Sequence, residues 1–148
     1  AGGGGEAGGG TGAGDSGGSS GFGGGDGPND ASVTLLVTVA GRLTLLLLGD
    51  LEPPAQRALL RAHPDLAPVD VLKVAHHGSA HQDPGLMRAV RPRLALVSTG
   101  SGNPYGHPSP RTVESLRAGG ARVLRTDLDG AIAVVGAGPG LTAVAGGE

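Results

Sequence analysis

The sequence predicts an α/β (α+β) fold in which a mixed β-sheet carries helices on one face. Three observations predict it. Two apolar runs, residues 33–39 and 43–48, stand on either side of the short break Ala40-Gly41-Arg42. Strand-like and helix-like segments then alternate to the end of the chain. Two of the strands lead directly into residues that can ligate a metal or move a proton, Gly49-Asp50 and His76-His77-Gly78-Ser79.

The elements follow in order. The two apolar runs and their break read as a β-hairpin. Pro53-Pro54 opens a helix to about residue 62, because proline is tolerated in a first helical turn, and His63-Pro64-Asp65 ends it. Residues 69–74 form a strand that stops at the two histidines. Residues 84–90 form a helix stopped by Pro92, and 94–98 a strand. The stretch 100–108, rich in Gly, Asn and Pro, is a loop. Ser109 caps a helix starting at Pro110 and running through residue 116, with Gly119-Gly120 beyond it. Residues 122–125 and 131–135 are strands around Asp127-Leu128-Asp129-Gly130, and 141–145 is a last short strand.

The composition is not uniform. Residues 1–27 hold 16 of the 31 glycines and no Lys or Arg, so this segment buries too little surface to offset the entropy of ordering. It reads as a disordered tail or linker, and it has no Gly-X-Y period that would suggest collagen. The foldable domain is residues 28–148. It carries all 11 basic residues and 10 of the 13 acidic ones, and this balance leaves no net-charge footprint for nucleic acid. Arg88, Arg91 and Arg93 form at most a local basic patch. With no cysteine there are no disulfides and no thiolate ligands. No stretch approaches the roughly 20 apolar residues of a membrane helix. The first residues carry neither the basic region nor the apolar core of a signal peptide. Tyr105 is the one aromatic of the foldable part, so its core is built from Val, Leu, Ala and Ile.

Three constellations can carry chemistry. Asp50 ends a buried strand and suits a divalent cation, or else a turn or a cap for the helix at Pro53. His76 follows Lys73-Val74-Ala75, and imidazole is the commonest metal ligand. His77 points the opposite way if strand geometry continues, so that only one of the pair faces a site directly. Gly78 permits close backbone approach, and Ser79 can donate to phosphate or cap a turn. His77 and His81 have a two-histidine helical spacing, but Gly78 between them argues for a loop. In Asn103-Pro104-Tyr105-Gly106-His107-Pro108, two prolines fix the backbone around a phenol and an imidazole. This loop is either a substrate wall or an ordinary turn. Asp127 and Asp129 are turn formers.

Taken in order, Asn29-Asp30-Ala31-Ser32, Leu-Leu-Gly-Asp50, Lys-Val-Ala-His76-His77-Gly78-Ser79, the Asn103 to Pro108 loop and Thr126-Asp-Leu-Asp-Gly130-Ala-Ile resemble the C-terminal part of the metallo-β-lactamase-like domain of the ComEC/Rec2 DNA-internalisation competence proteins. The resemblance covers about residues 28–136. It implies half of an αββα sandwich with metals at the strand ends. It implies Asp50 and His76 as metal ligands for Zn²⁺ or Mn²⁺, and His107 and Tyr105 as catalytic groups on the substrate side. His77, Ser79 and Asn103 are the implied substrate contacts, and DNA is the implied partner. No small-molecule cofactor is implied, and the setting is the soluble domain of a bacterial inner-membrane protein.

The superfamily's His-x-His-x-Asp-His motif is absent from this sequence, as are membrane helices. The chain therefore looks like a fragment that lacks an N-terminal half-domain and the membrane channel portion. Two functions follow as expectations. One is part of a metal-dependent phosphodiesterase or nuclease. The other is a non-enzymatic remnant or accessory domain of a DNA-uptake channel without a complete metal site.

Overall fold

The computed structural model describes residues 27–66 and 68–147. The tail expected over residues 1–27 falls, apart from Gly27, outside them. The expected hairpin is present: β1 (Leu35–Val39) and β2 (Leu43–Leu47) pair antiparallel, with Leu35 opposite Leu47 and Val39 opposite Leu43. Ala40 and Gly41 both take positive φ in the turn, at 48° and 64°. Then come α1 (Pro53–Ala62), β3 (Val71–Lys73), α2 (Pro84–Val90), β4 (Leu94–Val97), α3 (Pro110–Ala118) and β5 (Arg122–Arg125). After a short helical turn, α4 (Thr126–Asp129), strands β6 (Ile132–Val135) and β7 (Thr142–Ala145) close the chain as an antiparallel pair.

The large sheet has the order β1-β2-β3-β4-β5, and β2 to β5 are parallel. Each new parallel strand is added on the same side of the last. Crossovers of one hand then place every connecting helix on one face. That face buries Leu46, Leu72, Val74, Ala95 and Val97 against Leu86, Val90 and Leu116, with Ala55 and Leu59 of α1. The opposite face is covered over β3 to β5 by the β6–β7 pair, where Val71, Leu94 and Leu124 meet Ile132, Val134 and Ala143. Leu43 and Leu45 of β2 pack at the margin of this layer, and all five residues of β1 beyond it are exposed. The mixed sheet with helices on one face is therefore as the sequence predicted.

Element ends differ in instructive ways. The third strand is only Val71–Lys73, shorter than 69–74, because the Val69 N–H bonds to the Val90 carbonyl at the end of α2 (2.8 Å). Ser109 occupies the cap position of α3, but its side chain makes no capping bond. α2 is capped by Asp83, whose carboxylate accepts from the Leu86 N–H at 2.9 Å. Asp127 and Asp129 shape a helical turn by bonding Arg125: Asp129 accepts its backbone N–H and Asp127 its guanidinium. Among the described residues no helix is long and apolar enough to cross a membrane.

Candidate functional site

Four parallel strands end along one edge of the sheet, so the loops that leave β2, β3, β4 and β5 converge there. Ligand sites of open α/β sheets form outside the carboxyl ends of strands for this reason. Asp50 leaves β2, His76 and His77 leave β3, Ser98 and Thr99 leave β4, and Thr126 follows β5. With Asn103, Tyr105 and His107 they line a cleft of about 630 Å³. A second cavity of about 440 Å³ beside Leu36, Leu46, Leu59 and Leu66 is mainly apolar and lies away from this edge.

The Asp50 loop is held by the segment at residues 29–32. Ser32 Oγ accepts the Asp50 N–H at 3.0 Å, and Asp30 Oδ1 accepts the Glu52 N–H at 3.0 Å. Gly49 has φ of +58°, and a Cβ there would lie 2.8 Å from Ser32 Cβ, so both conformation and space demand glycine. The cap position of α1 belongs to Glu52, so Asp50 does not cap that helix. The His76 N–H donates to the Gly49 carbonyl at 3.1 Å, which ties the β3 loop to the β2 loop.

His76 and His77 both adopt left-handed backbone, with φ of 45° and 51°. This conformation costs roughly 1–2 kcal/mol per residue. It also removes the strand alternation expected to turn them apart, because the strand has already ended at Lys73. The two rings line the same cleft, which corrects the expectation that only one faces it. Each ring is held from behind by its Nδ1. His76 Nδ1 lies 2.6 Å from Glu52 Oε1, and His77 Nδ1 lies 2.6 Å from the Ser98 carbonyl oxygen. A carbonyl only accepts, so His77 carries a proton on Nδ1, and in the neutral ring its lone pair is on Nε2. That Nε2 stands 3.6 Å from Asp50 Oδ1. The imidazole nearest Asp50 is thus His77, and the ring of His76 lies 6.4 Å from that of His77.

Two ligands on one tetrahedral zinc at 2.0–2.1 Å are about 3.4 Å apart, close to the observed spacing. A carboxylate and neutral imidazoles also suit Zn²⁺ or Mn²⁺ chemically. The donors present therefore fit part of a metal shell. Among the described residues no group of three or more His, Asp or Glu is placed to hold an ion.

The loop after β4 is internally braced. Thr99 and Thr126 exchange bonds, the Thr99 N–H to Thr126 Oγ1 at 2.8 Å and the Thr126 hydroxyl to the Thr99 carbonyl at 2.7 Å. Asn103 donates to Thr99 Oγ1 at 2.8 Å and accepts the Tyr105 N–H at 2.7 Å. Both ends of its amide thus serve the loop, and the residue also lines the cleft. Tyr105 is 80% exposed and stacks on His107, with ring centroids 6.3 Å apart. His107 meets His76 edge to face at 5.4 Å. Burial and then the neighbouring His76, His77 and His81 push the His107 pKa down, while Glu52 opposes them. Lys73, at the end of β3, is also pushed down by burial, and Asp50 opposes that shift.

Ser79 is not in the cleft. It is buried, 2% exposed, and its hydroxyl accepts the His81 N–H at 3.3 Å. Its carbonyl accepts the Thr112 hydroxyl at 2.7 Å. The expected substrate contact is corrected to a structural one, because the chain after Gly78 turns inward under α3. Gly78 itself packs on Pro108, and its carbonyl accepts the Ser109 N–H at 2.8 Å. The residues that sequence reasoning missed are Glu52, Ser98, Thr99 and Thr126. Only Glu52 left a local signal, an acid two positions beyond Asp50.

No family model matches the chain. Curated proteins do. The chain is 34% identical over 105 residues to ComE operon protein 3 of Bacillus subtilis, a match over 70% of this chain and 13% of that protein. It is 37% identical over 99 residues to competence protein ComA of Neisseria gonorrhoeae, covering 66% and 14% respectively. It is 34% identical over 107 residues to recombination protein 2 of Haemophilus influenzae, covering 72% and 13%. The chain thus spans about an eighth of the length of these relatives.

Proposed function

The chain belongs, through the segment matched above, to the ComEC/Rec2 family of competence proteins, and on that premise we propose that it is one part of a metal-dependent hydrolase domain acting on DNA phosphodiesters during DNA uptake. The whole domain in this reading is a metallo-β-lactamase-like αββα sandwich, of which the five-stranded sheet and its helices are one half. It forms the part of an inner-membrane protein that lies outside the bilayer.

The observation that carries the reading is the pairing of Asp50 Oδ1 with His77 Nε2 at 3.6 Å, in a cleft at the carboxyl ends of the parallel strands. Asp50 and His77 hold Zn²⁺ or Mn²⁺, with His76 beside them as a further donor. The ion, when bound, stabilises the negative charge that develops on a phosphoryl oxygen. His107, whose pKa is lowered chiefly by burial, accepts or returns a proton at the reacting oxygens. The exposed Tyr105 hydroxyl contacts the DNA backbone at the rim, and Asn103 holds that loop in shape. Polypeptide outside this chain completes the metal shell and covers the apolar residues Leu35, Val37 and Val39 of β1, which are 50%, 36% and 49% exposed.

A second reading, an accessory domain without a complete metal site, is favoured by the lack of a three-donor group among the described residues. One experiment separates the two. A longer polypeptide that restores the rest of the domain is assayed for Zn²⁺- or Mn²⁺-dependent cleavage of single- and double-stranded DNA. Cleavage that Asp50→Asn abolishes supports the hydrolase, and inactivity of the folded, metal-supplied domain supports the accessory role.

A further inference from the structure

We propose that Glu52 is a positioning residue of the cleft: its carboxylate holds the Nδ1–H edge of His76 and so commits His76 Nε2 to the cavity. The contact is 2.6 Å long, and both side chains are about a quarter exposed. Glu52 does not line the cleft, so it stands behind the ring. It is itself fixed from several directions. Its N–H donates to Asp30 Oδ1 at 3.0 Å, and the Asn29 amide donates to its Oε1 at 3.4 Å. Pro53 follows it at the start of α1.

The simpler role for an acid at this position is to serve the helix, either as a cap or through the helix dipole. Glu52 occupies the cap position, yet its side chain makes no capping bond. The carboxylate goes to the imidazole instead. A carboxylate only accepts, so in the neutral ring the shared proton resides on Nδ1 and the lone pair on Nε2. Free imidazole side chains in water favour the opposite tautomer, with the proton on Nε2. Glu52 therefore does for His76 what the Ser98 carbonyl does for His77. Both rings then present an unprotonated nitrogen to the same cavity. Acceptors of this kind fix the tautomer and orientation of imidazoles that ligate metals.

The tautomer assignment stands on the geometry alone. Its consequence for metal binding rests on the proposed hydrolase reading. Both can be read on the whole chain labelled with ¹⁵N, by long-range nitrogen–proton correlation of the histidine rings at a pH where they are neutral. In the unaltered chain His76 and His77 are both expected in the Nδ1–H form. Glu52→Ala should move His76 to the Nε2–H form and leave His77 unchanged. Glu52→Gln should restore the Nδ1–H form, because the amide oxygen still accepts. A His76 that stays Nδ1–H in Glu52→Ala overturns the proposal. If Glu52→Ala disturbs His77 as well, the fold has been lost and Glu52→Gln decides. There, a His76 that leaves the Nδ1–H form beside an unchanged His77 overturns the proposal, and one that keeps it supports the role. Titration with Zn²⁺ alone should show an affinity about 10- to 100-fold lower in Glu52→Ala. A tautomer switch with unchanged Zn²⁺ affinity supports the positioning role and removes His76 from the donors of the metal, leaving Asp50 and His77.

Discussion

Replacing Gly78 by alanine, where two loops of the cleft meet, should destabilise the domain clearly more than the same change at Gly102. Two costs can be worked out from its surroundings. Gly78 has φ of +77°, and an L-residue in left-handed backbone costs roughly 1–2 kcal/mol. The added Cβ would also lie 2.7 Å from Pro108 Cβ and 3.3 Å from Val97 Cγ1. Relieving such an overlap in packed surroundings costs about 1–3 kcal/mol. The total is about 2–5 kcal/mol, a fall in Tm on the order of 10–20 °C for a folded unit of this size. Gly102 separates the two terms. Its φ is +70°, but a Cβ there meets nothing within 4 Å, so Gly102→Ala should cost only the backbone term. Thermal unfolding followed by circular dichroism gives both values. Amide spectra of Gly78→Ala should move at residues 76–79 and 107–109 together, because the Gly78 carbonyl accepts the Ser109 N–H. If Gly78→Ala melts within 2 °C of Gly102→Ala, the Gly78–Pro108 contact does not hold the two cleft loops together.

Three further outcomes are expected. The isolated chain should bind Zn²⁺ or Mn²⁺ only weakly, since catalytic zinc sites draw on three protein ligands and, among the described residues, Asp50 and His77 alone stand at ligand spacing. A submicromolar calorimetric site that persists in Asp50→Asn and His77→Ala would show the donors to be misassigned. In the completed domain, His107→Ala should lower turnover and leave metal content unchanged, and loss of metal would make His107 a ligand. Acid should destabilise the fold through Asp70 and Asp127. The Asp70 pKa is lowered chiefly by the Thr44 backbone N–H, and that of Asp127 by the Arg125 guanidinium. Their folded values lie below the unfolded ones, so their stabilisation is complete above about pH 4 and is lost as pH falls through the folded values. Asp70→Asn should therefore flatten the dependence of Tm on pH below 4, and an unchanged slope refutes the assignment.

Much of the architecture follows from local chemistry. Pro53, Pro84 and Pro110 each stand in a first helical turn, and all three helices begin at them. Apolar runs bounded by turn residues gave strands to within two residues or so of their ends. The alternation of strand and helix placed the Asp50, His76 and His107 loops on one edge of the sheet, because parallel strands end on the same side. These features depend on neighbours a few residues away, and a linear reading captures them.

Other features depend on groups distant along the chain. The turn of both histidines into one cleft needs two left-handed residues, held by the Gly49 carbonyl and by Gly78 against Pro108. The withdrawal of Ser79 needs α3 above it, with Thr112 as its partner. The assignment of His77, not His76, as the imidazole next to Asp50 needs the Ser98 carbonyl, 21 residues away, and the Glu52 carboxylate, 24 residues from His76. The identities of these residues were legible from the outset, and so was their general neighbourhood. Which nitrogen faces the cavity, and which hydroxyl is buried, is decided by hydrogen bonds between loops that only the packed sheet brings together.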